Sequence, residues 1–170
     1  MRVWLLLLLL ISSHAYGTAQ IPDRITLDGK ENALFSEPLS EYLFANGKEI
    51  PKLLSYIHES CTGSWRGYQA RWEIRKTNLL LTSIVADPCN DEPGVVPLII
   101  FFPEALGAPV HATWFSGKLI IPQGKRIRYV HRGYESRYEK YLVISVVRGV
   151  VLKTEKTGKP PAENVADKTQ

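Results

Sequence analysis

The feature that most limits what this chain can fold into is a period-two alternation that begins after Trp65. Tyr68, Ala70, Trp72 and Ile74 fall on one side of it, and Gln69, Arg71, Glu73 and Arg75 on the other. Successive side chains of a strand point to opposite faces, so the pattern predicts a strand with one dry and one wet face. Lys76-Thr77-Asn78 then turns the chain into a second apolar stretch, Leu79 to Val85, and the two make a hairpin. A helix cannot use this spacing, because its apolar positions recur at three and four residues.

The same grammar returns along the chain. Arg24 to Asp28 alternates, Gly29 follows and Ala33 to Phe35 resumes, which predicts a first hairpin turned on Asp28-Gly29. Val96 to Phe102 is a continuous apolar run, the pattern of a strand buried on both faces. A Pro- and Gly-rich link, Pro103 to Pro109, leads to Val110 to Phe115, then Lys118 to Ile121, a Pro122-Gln123-Gly124-Lys125 turn, and Ile127 to His131. Tyr138 to Val147 and Val150 to Thr154 flank Arg148-Gly149, another hairpin signal.

Helix signals are few. Between Ser36 and Gly47, Ser36 is placed to cap free amides, Pro38 suits a first turn, and Asn46-Gly47 offers a left-handed stop. Leu39, Tyr42 and Leu43 share one face of such a helix. Ile50 to Ile57 fits helix or strand equally. The sum predicts a β-rich α+β fold of about eight or nine mostly antiparallel strands, in a curled sheet or open barrel, with one or two short helices.

The ends carry a different message. Arg2 precedes Val3, Trp4, six leucines and Ile11, after which Ser12 to Gly17 turns small and polar. That order is a signal peptide's, and the apolar run falls well short of the roughly 20 residues a membrane-spanning helix needs. We expect a cleavable leader over 1–17. Ala15 with Gly17 has the spacing of a cleavage site, as do Ser13 with Ala15 and Gly17 with Ala19, and no cysteine follows the run to carry a lipid. One globular domain over 18–154 and a flexible polar tail over 155–170 complete the expected organisation, since beyond Thr154 the only large apolar residue is Val165. The expected location is periplasmic or secreted.

In such a compartment the two cysteines, Cys61 and Cys89, are most simply one disulfide. A closed loop of about 28 residues contributes roughly 3 to 4 kcal/mol by restricting the unfolded chain. Neither cysteine has a second Cys or a His at metal-ligand spacing. The 21 Lys plus Arg against 17 Asp plus Glu give a net charge of +4, too mild to indicate a nucleic-acid partner.

The most distinctive motif is an echo. Arg66-Gly67-Tyr68-Gln69-Ala70-Arg71-Trp72-Glu73 and Arg132-Gly133-Tyr134-Glu135-Ser136-Arg137-Tyr138-Glu139 both read R-G-Y-x-x-R-aromatic-E. Arg offers a forked donor and Tyr or Trp a rigid amphipathic plane, the residues enriched where proteins recognise partners. Trp65, Arg66, Tyr68, Arg71, Trp114, Tyr129, His131, Arg132, Tyr134 and Arg137 are accordingly the candidate partner-binding residues. The same letters also suit the wet face of ordinary strands.

Catalytic signatures are lacking. His58, His111 and His131 include no pair at i, i+2 or i, i+4, so no local metal pair exists, although His111 and His131 could meet across strands. Gly63-Ser64-Trp65-Arg66-Gly67 lacks the spacing of a hydrolase elbow, and no phosphate-cradling or dinucleotide-binding glycine loop is present. No catalytic residue, metal ligand or cofactor is expected. The motifs Trp65-Arg-Gly-Tyr-x-Ala-x-Trp-Glu-Ile74, Trp114-Phe-Ser-Gly-x-Leu-x-Ile-Pro-Gln-Gly124, Tyr129-Val-His-x-Gly-Tyr134 and Tyr138-Glu-Lys140 resemble a loose group of small bacterial proteins without an established function. The resemblance spans Arg24 to Lys153 and implies neither a substrate nor catalytic residues. Most members of that group lack an obvious leader, so export would set this chain apart from them.

Two functional expectations follow. The first is an exported, non-catalytic binding protein that engages another protein or an envelope polymer, in its specific form a periplasmic immunity or inhibitor protein. The alternative is an exported cell-envelope hydrolase using paired carboxylates drawn from Glu73, Glu104, Glu135 and Glu139. They separate on whether Arg66, Arg71, Arg132 and Arg137 converge, or whether Glu73 and Glu139 line a cleft.

Overall fold

In the computed structural model, which describes residues 18–59 and 61–161, the dipeptides Asp28-Gly29 and Arg148-Gly149 make the turns expected of them. Their φ angles are 49° and 75° in the first and 49° and 77° in the second. Two consecutive positive φ values are what a tight loop needs to match the twist of its strands. The turns join β1 (Asp23–Leu27) to β2 (Lys30–Leu34) and β8 (Arg137–Val147) to β9 (Val150–Thr157). The alternating region forms β3 (Tyr68–Arg75) and β4 (Asn78–Ala86), and β5 (Gly94–Val96), β6 (Val110–His111) and β7 (Gly117–Arg128) complete the strands. The helices are α1 (Pro38–Ala45) and α2 (Ile50–Leu54), so the ambiguous 50–57 stretch is helix over its first five residues and turn or coil beyond them.

All nine strands join one sheet in the order β2-β1-β3-β4-β9-β8-β7, with β5 and β6 also on β4. Every pair is antiparallel except β1 with β3. The sheet curls until its end strands approach one another. Phe35 donates its amide to the Ile120 carbonyl at 2.7 Å, while Ser36 Oγ accepts from the Ile120 amide and donates to the Lys118 carbonyl, each at 2.9 Å. No strand ladder joins these edges, so the sheet stays open. Its concave side holds one apolar cluster, with Trp72, Leu81, Leu119 and Ile121 buried against Leu39 and Leu43 of α1.

Several local expectations need correction. Ser36 does not cap α1, because its hydroxyl is spent on Lys118 and Ile120; Glu37 occupies the cap position without a side-chain cap bond. Asn46 is not left-handed (φ −118°); its backbone and side-chain N–H groups both donate to the Tyr42 carbonyl, and Gly47 opens a 3₁₀ turn. The apolar run 96–102 leaves the sheet after Val96, which ends β5. Pro97 has no amide to continue the ladder, and the chain coils into a 3₁₀ turn, Leu98–Ile100, that buries Leu98, Phe101 and Phe102. Only Val110–His111 of the 110–115 stretch pairs. Pro122 to Lys125 is no hairpin turn but an irregularity within the continuous strand β7, with Gly124 at φ 75° and the Lys125 amide donating to Glu139 Oε2. Gln69, expected on the wet face, is buried and donates to the Pro22 carbonyl at 2.8 Å. Finally, β9 runs to Thr157, because residues 155–157 pair with β8. The expected leader over 1–17 and residues 162–170 of the expected tail lie outside the described residues.

Cys61 and Cys89 form the expected disulfide across 28 residues. A structural disulfide requires oxidising surroundings, which argues against the cytoplasm. Among the described residues no helix is long and apolar enough to cross a membrane.

Candidate functional site

The parallel pairing of β1 with β3 sets Arg24 opposite Arg71 and so brings Asp23, the first residue of β1, against the start of β3. Asp23 is 0 % exposed. Four donors surround its carboxylate: the Ala70 amide and Arg66 Nη1 and Nη2 reach Oδ1 at 3.0 to 3.1 Å, and the Trp72 indole reaches Oδ2 at 3.1 Å. Burial pushes the carboxyl up to about 6, against the opposing pull of Arg66, Trp72 and the Ala70 amide. The group is therefore charged at neutral pH.

Arg66 carries the network outward. Its Nη2 also donates to the Tyr134 hydroxyl at 3.2 Å, its Nε lies 3.5 Å from Glu37 Oε1, and its guanidinium sits over the Tyr68 ring at 4.8 Å. Burial alone would weaken its hold on the proton. Asp23, Tyr134, Tyr68 and Glu37 together outweigh that effect and keep it cationic. Tyr134 donates to Glu37 Oε1 at 2.9 Å; Ser40 donates to Glu37 Oε2 at 3.2 Å and shares a 2.9 Å hydrogen bond with the Tyr68 hydroxyl. Burial pushes both tyrosine hydroxyls up, so both stay neutral. The network links the two R-G-Y segments directly, through Arg66 of the first and Tyr134 of the second.

A cleft lies on each side of this wall. One, of about 380 Å³, opens beyond Tyr134, whose ring stacks on Phe35 with centroids 5.0 Å apart. Arg128 and Arg137, directly opposed across β7 and β8, line it together with Ile120, Val130 and Tyr141. The other, of about 290 Å³, lies on the Arg66 and Tyr68 side and is walled by Leu43, Phe44, Ile50 and Leu54 of the helical segment.

The remaining candidates divide. Trp65 is 77 % exposed, yet its amide donates to Gln20 Oε1 at 3.1 Å, while the Gln20 amide donates to the Gly133 carbonyl at 3.2 Å. Gln20 thus bridges Trp65 to the turn carrying Arg132, whose side chain is 85 % exposed and pairs with Glu135 at 3.2 Å. Tyr129 meets His131 edge-on at 4.5 Å and lies under the Arg126 guanidinium at 4.6 Å. Arg66 and Arg137 therefore flank Tyr134, with Arg132 two residues before it. Arg71 does not join them; it lies on the outer face of β3, 4.0 Å from Glu31. Trp114 is also apart, stacked on Phe102 at 5.2 Å and donating to the Pro38 carbonyl, beside a third cleft of about 400 Å³ that includes Glu104 and His111.

The carboxylates have local occupations. Glu73 pairs with Arg75 at 2.7 Å and Glu139 holds the Lys125 amide, and neither lines any of the three clefts. His111 is engaged by the Gly149 carbonyl at 3.1 Å, and no three His, Cys, Asp or Glu side chains gather as a metal would require among the described residues. Asp23, Glu37, Phe35 and Arg128 were not foreseen as part of the site. Only Arg128, within the cationic alternation Arg126-Ile127-Arg128, left a trace in the sequence. Compared with known proteins, the chain matches no family model, no curated protein and no solved structure.

Proposed function

We propose that this chain is an exported, non-catalytic binding protein, periplasmic or secreted, that engages a protein partner in the manner of an immunity or inhibitor protein. The surface it would use carries Trp65, Tyr129, His131 and Arg132. The observation that supports this reading most is the bridge through Gln20. It ties the backbone of Trp65, whose indole is exposed, to the backbone of Gly133 next to the exposed Arg132, and the Asp23–Arg66–Tyr134 network joins the residues that follow each of them. The Trp65 ring is itself tethered, its Nε1–H donating to the Thr62 carbonyl at 3.0 Å. An anchor fixed before binding loses little conformational freedom on association, and Trp, Tyr and Arg carry most binding energy where interfaces have been dissected. The disulfide supports the exported half of the reading.

The test uses the immobilised chain lacking residues 1–17, an envelope extract and a chemical cross-linker. The expected result is one discrete protein, cross-linked in a defined ratio, whose retention falls about tenfold or more for Trp65→Ala plus Arg132→Glu while the unfolding midpoint stays put. Equal retention by that variant, or no discrete partner, would overturn the proposal.

A further inference from the structure

Arg128 and Arg137 occupy an arrangement that strand pairing disfavours. They are direct partners across the β7–β8 ladder, so their side chains leave the same face, and both line the 380 Å³ cleft. Like charges in that relation repel unless something anionic lies between them. Among the described residues neither has a carboxylate within ion-pair distance. Among the described residues the one acid lining the cleft is Glu135, and it pairs with Arg132 at 3.2 Å.

The other polar groups of the cleft are already engaged. The Tyr134 hydroxyl accepts from Arg66 and donates to Glu37. Ser136 Oγ accepts from the Val130 amide and donates back to the Val130 carbonyl, and the Tyr141 hydroxyl accepts from the Tyr138 amide. Two guanidinium forks, with the O–H of Tyr141 beside them, are therefore the donors the cleft offers a polar ligand. A planar oxyanion matches such forks, and the walls beside them, Phe35, Ile120, Val130, Pro160 and Pro161, are apolar.

We infer that the cleft between β7 and β8 binds a carboxylate carried next to an apolar side chain, as at an acidic or C-terminal residue of a protein. This rests on the proposed function only for the carboxylate's source. The site itself is tested with small probes and stands or falls whatever the extract yields.

The probe is N-acetyl-leucine, with N-acetyl-leucinamide and inorganic phosphate as comparisons, titrated at low ionic strength while the arginine Nε–H resonances are followed. The expected result is saturable movement of the Arg128 and Arg137 signals with millimolar affinity, a flat response to the amide, and weaker binding of phosphate. Arg137→Gln should abolish the response and, with no ligand present, raise Tm by about 1–2 °C through relief of the repulsion. A structural arginine would lower Tm instead. Arg128→Gln serves as the second variant, with the same two outcomes expected. An equal response to the amide, or an unchanged response in both variants, would sink the inference. Tighter binding of phosphate would overturn the carboxylate assignment.

Discussion

The two R-G-Y-x-x-R-aromatic-E segments share a pattern and live in opposite environments. In the first, Tyr68 and Trp72 are buried and Arg66 is nearly so, at 17 % side-chain exposure; in the second, Arg132 stands in solvent at 85 %. The first segment enters β3 at its tyrosine, whereas the second stays in a turn until Arg137, where β8 starts. The difference lies in what each arginine meets. Among the described residues, Arg66 meets Asp23, a carboxylate with no other ion-pair partner, while Arg132 meets only Glu135 three residues on. An eight-residue pattern does not fix a role; the distant residue brought against it does.

The strongest way to break this comparison is to remove each arginine. Arg66→Ala leaves Asp23 buried without its cation and is expected to cost about 3–5 kcal/mol, whereas Arg132→Ala should stay within about 0.5 kcal/mol, both read from denaturant midpoints. Equal losses would show that the segments are energetically alike. The glycines repeat the contrast more weakly. Gly67 has φ 68° and a Cβ there would lie 2.6 Å from Ile57 Cγ2, while Gly133 has φ 47° with open space around it. Gly67→Ala is therefore expected to cost about 2–3 kcal/mol and Gly133→Ala about 1 kcal/mol, the latter from backbone conformation alone. A Gly67→Ala protein as stable as Gly133→Ala would mean that Ile57 yields freely.

The reasons for the contrast were hidden from sequence reasoning, although much of the fold was not. The Asp28-Gly29 and Arg148-Gly149 hairpins and the β3–β4 alternation are local, and a few adjacent residues determine them. The errors arose where a distant residue decided the outcome. Glu139 holds the Lys125 amide 14 residues away and keeps β7 continuous through Pro122 to Lys125, and Ser36 is drawn from its cap position by Lys118 and Ile120. The site is of the same kind. Asp23 reaches Arg66 across 43 residues through a parallel pairing that no alternation encodes, and the opposition of Arg128 to Arg137 depends on the irregular register of β7.

Asp23 gives the comparison a pH signature. Burial raises its carboxyl to about 6, above the ordinary value of an unfolded chain, so the folded state binds the proton more tightly. The stability this group contributes is thus fully present below about pH 4 and is lost as pH rises through about 6. Asp23→Asn should remove that component from a plot of unfolding free energy against pH between 4 and 7, while Glu135→Gln, in the second segment, should leave it in place. A wild-type curve with no such component in this interval would place the carboxyl in its ordinary range.

The last test concerns the junction itself. Tyr134 is the one side chain of the second segment that enters the buried network of the first, accepting from Arg66 and donating to Glu37. Tyr134→Phe keeps the stacking on Phe35 and deletes only the hydroxyl, so the loss should be about 1.5–3 kcal/mol, the usual worth of hydrogen bonds to charged groups. If the hydroxyl is anchored through Glu37, adding Tyr134→Phe to Glu37→Gln should cost less than adding it to the wild type, because the two share one hydrogen bond. Strict additivity would mean that Tyr134 and Glu37 contribute independently. The second segment would then reach the first only through the Arg66–Tyr134 hydrogen bond, with Glu37 no part of the junction.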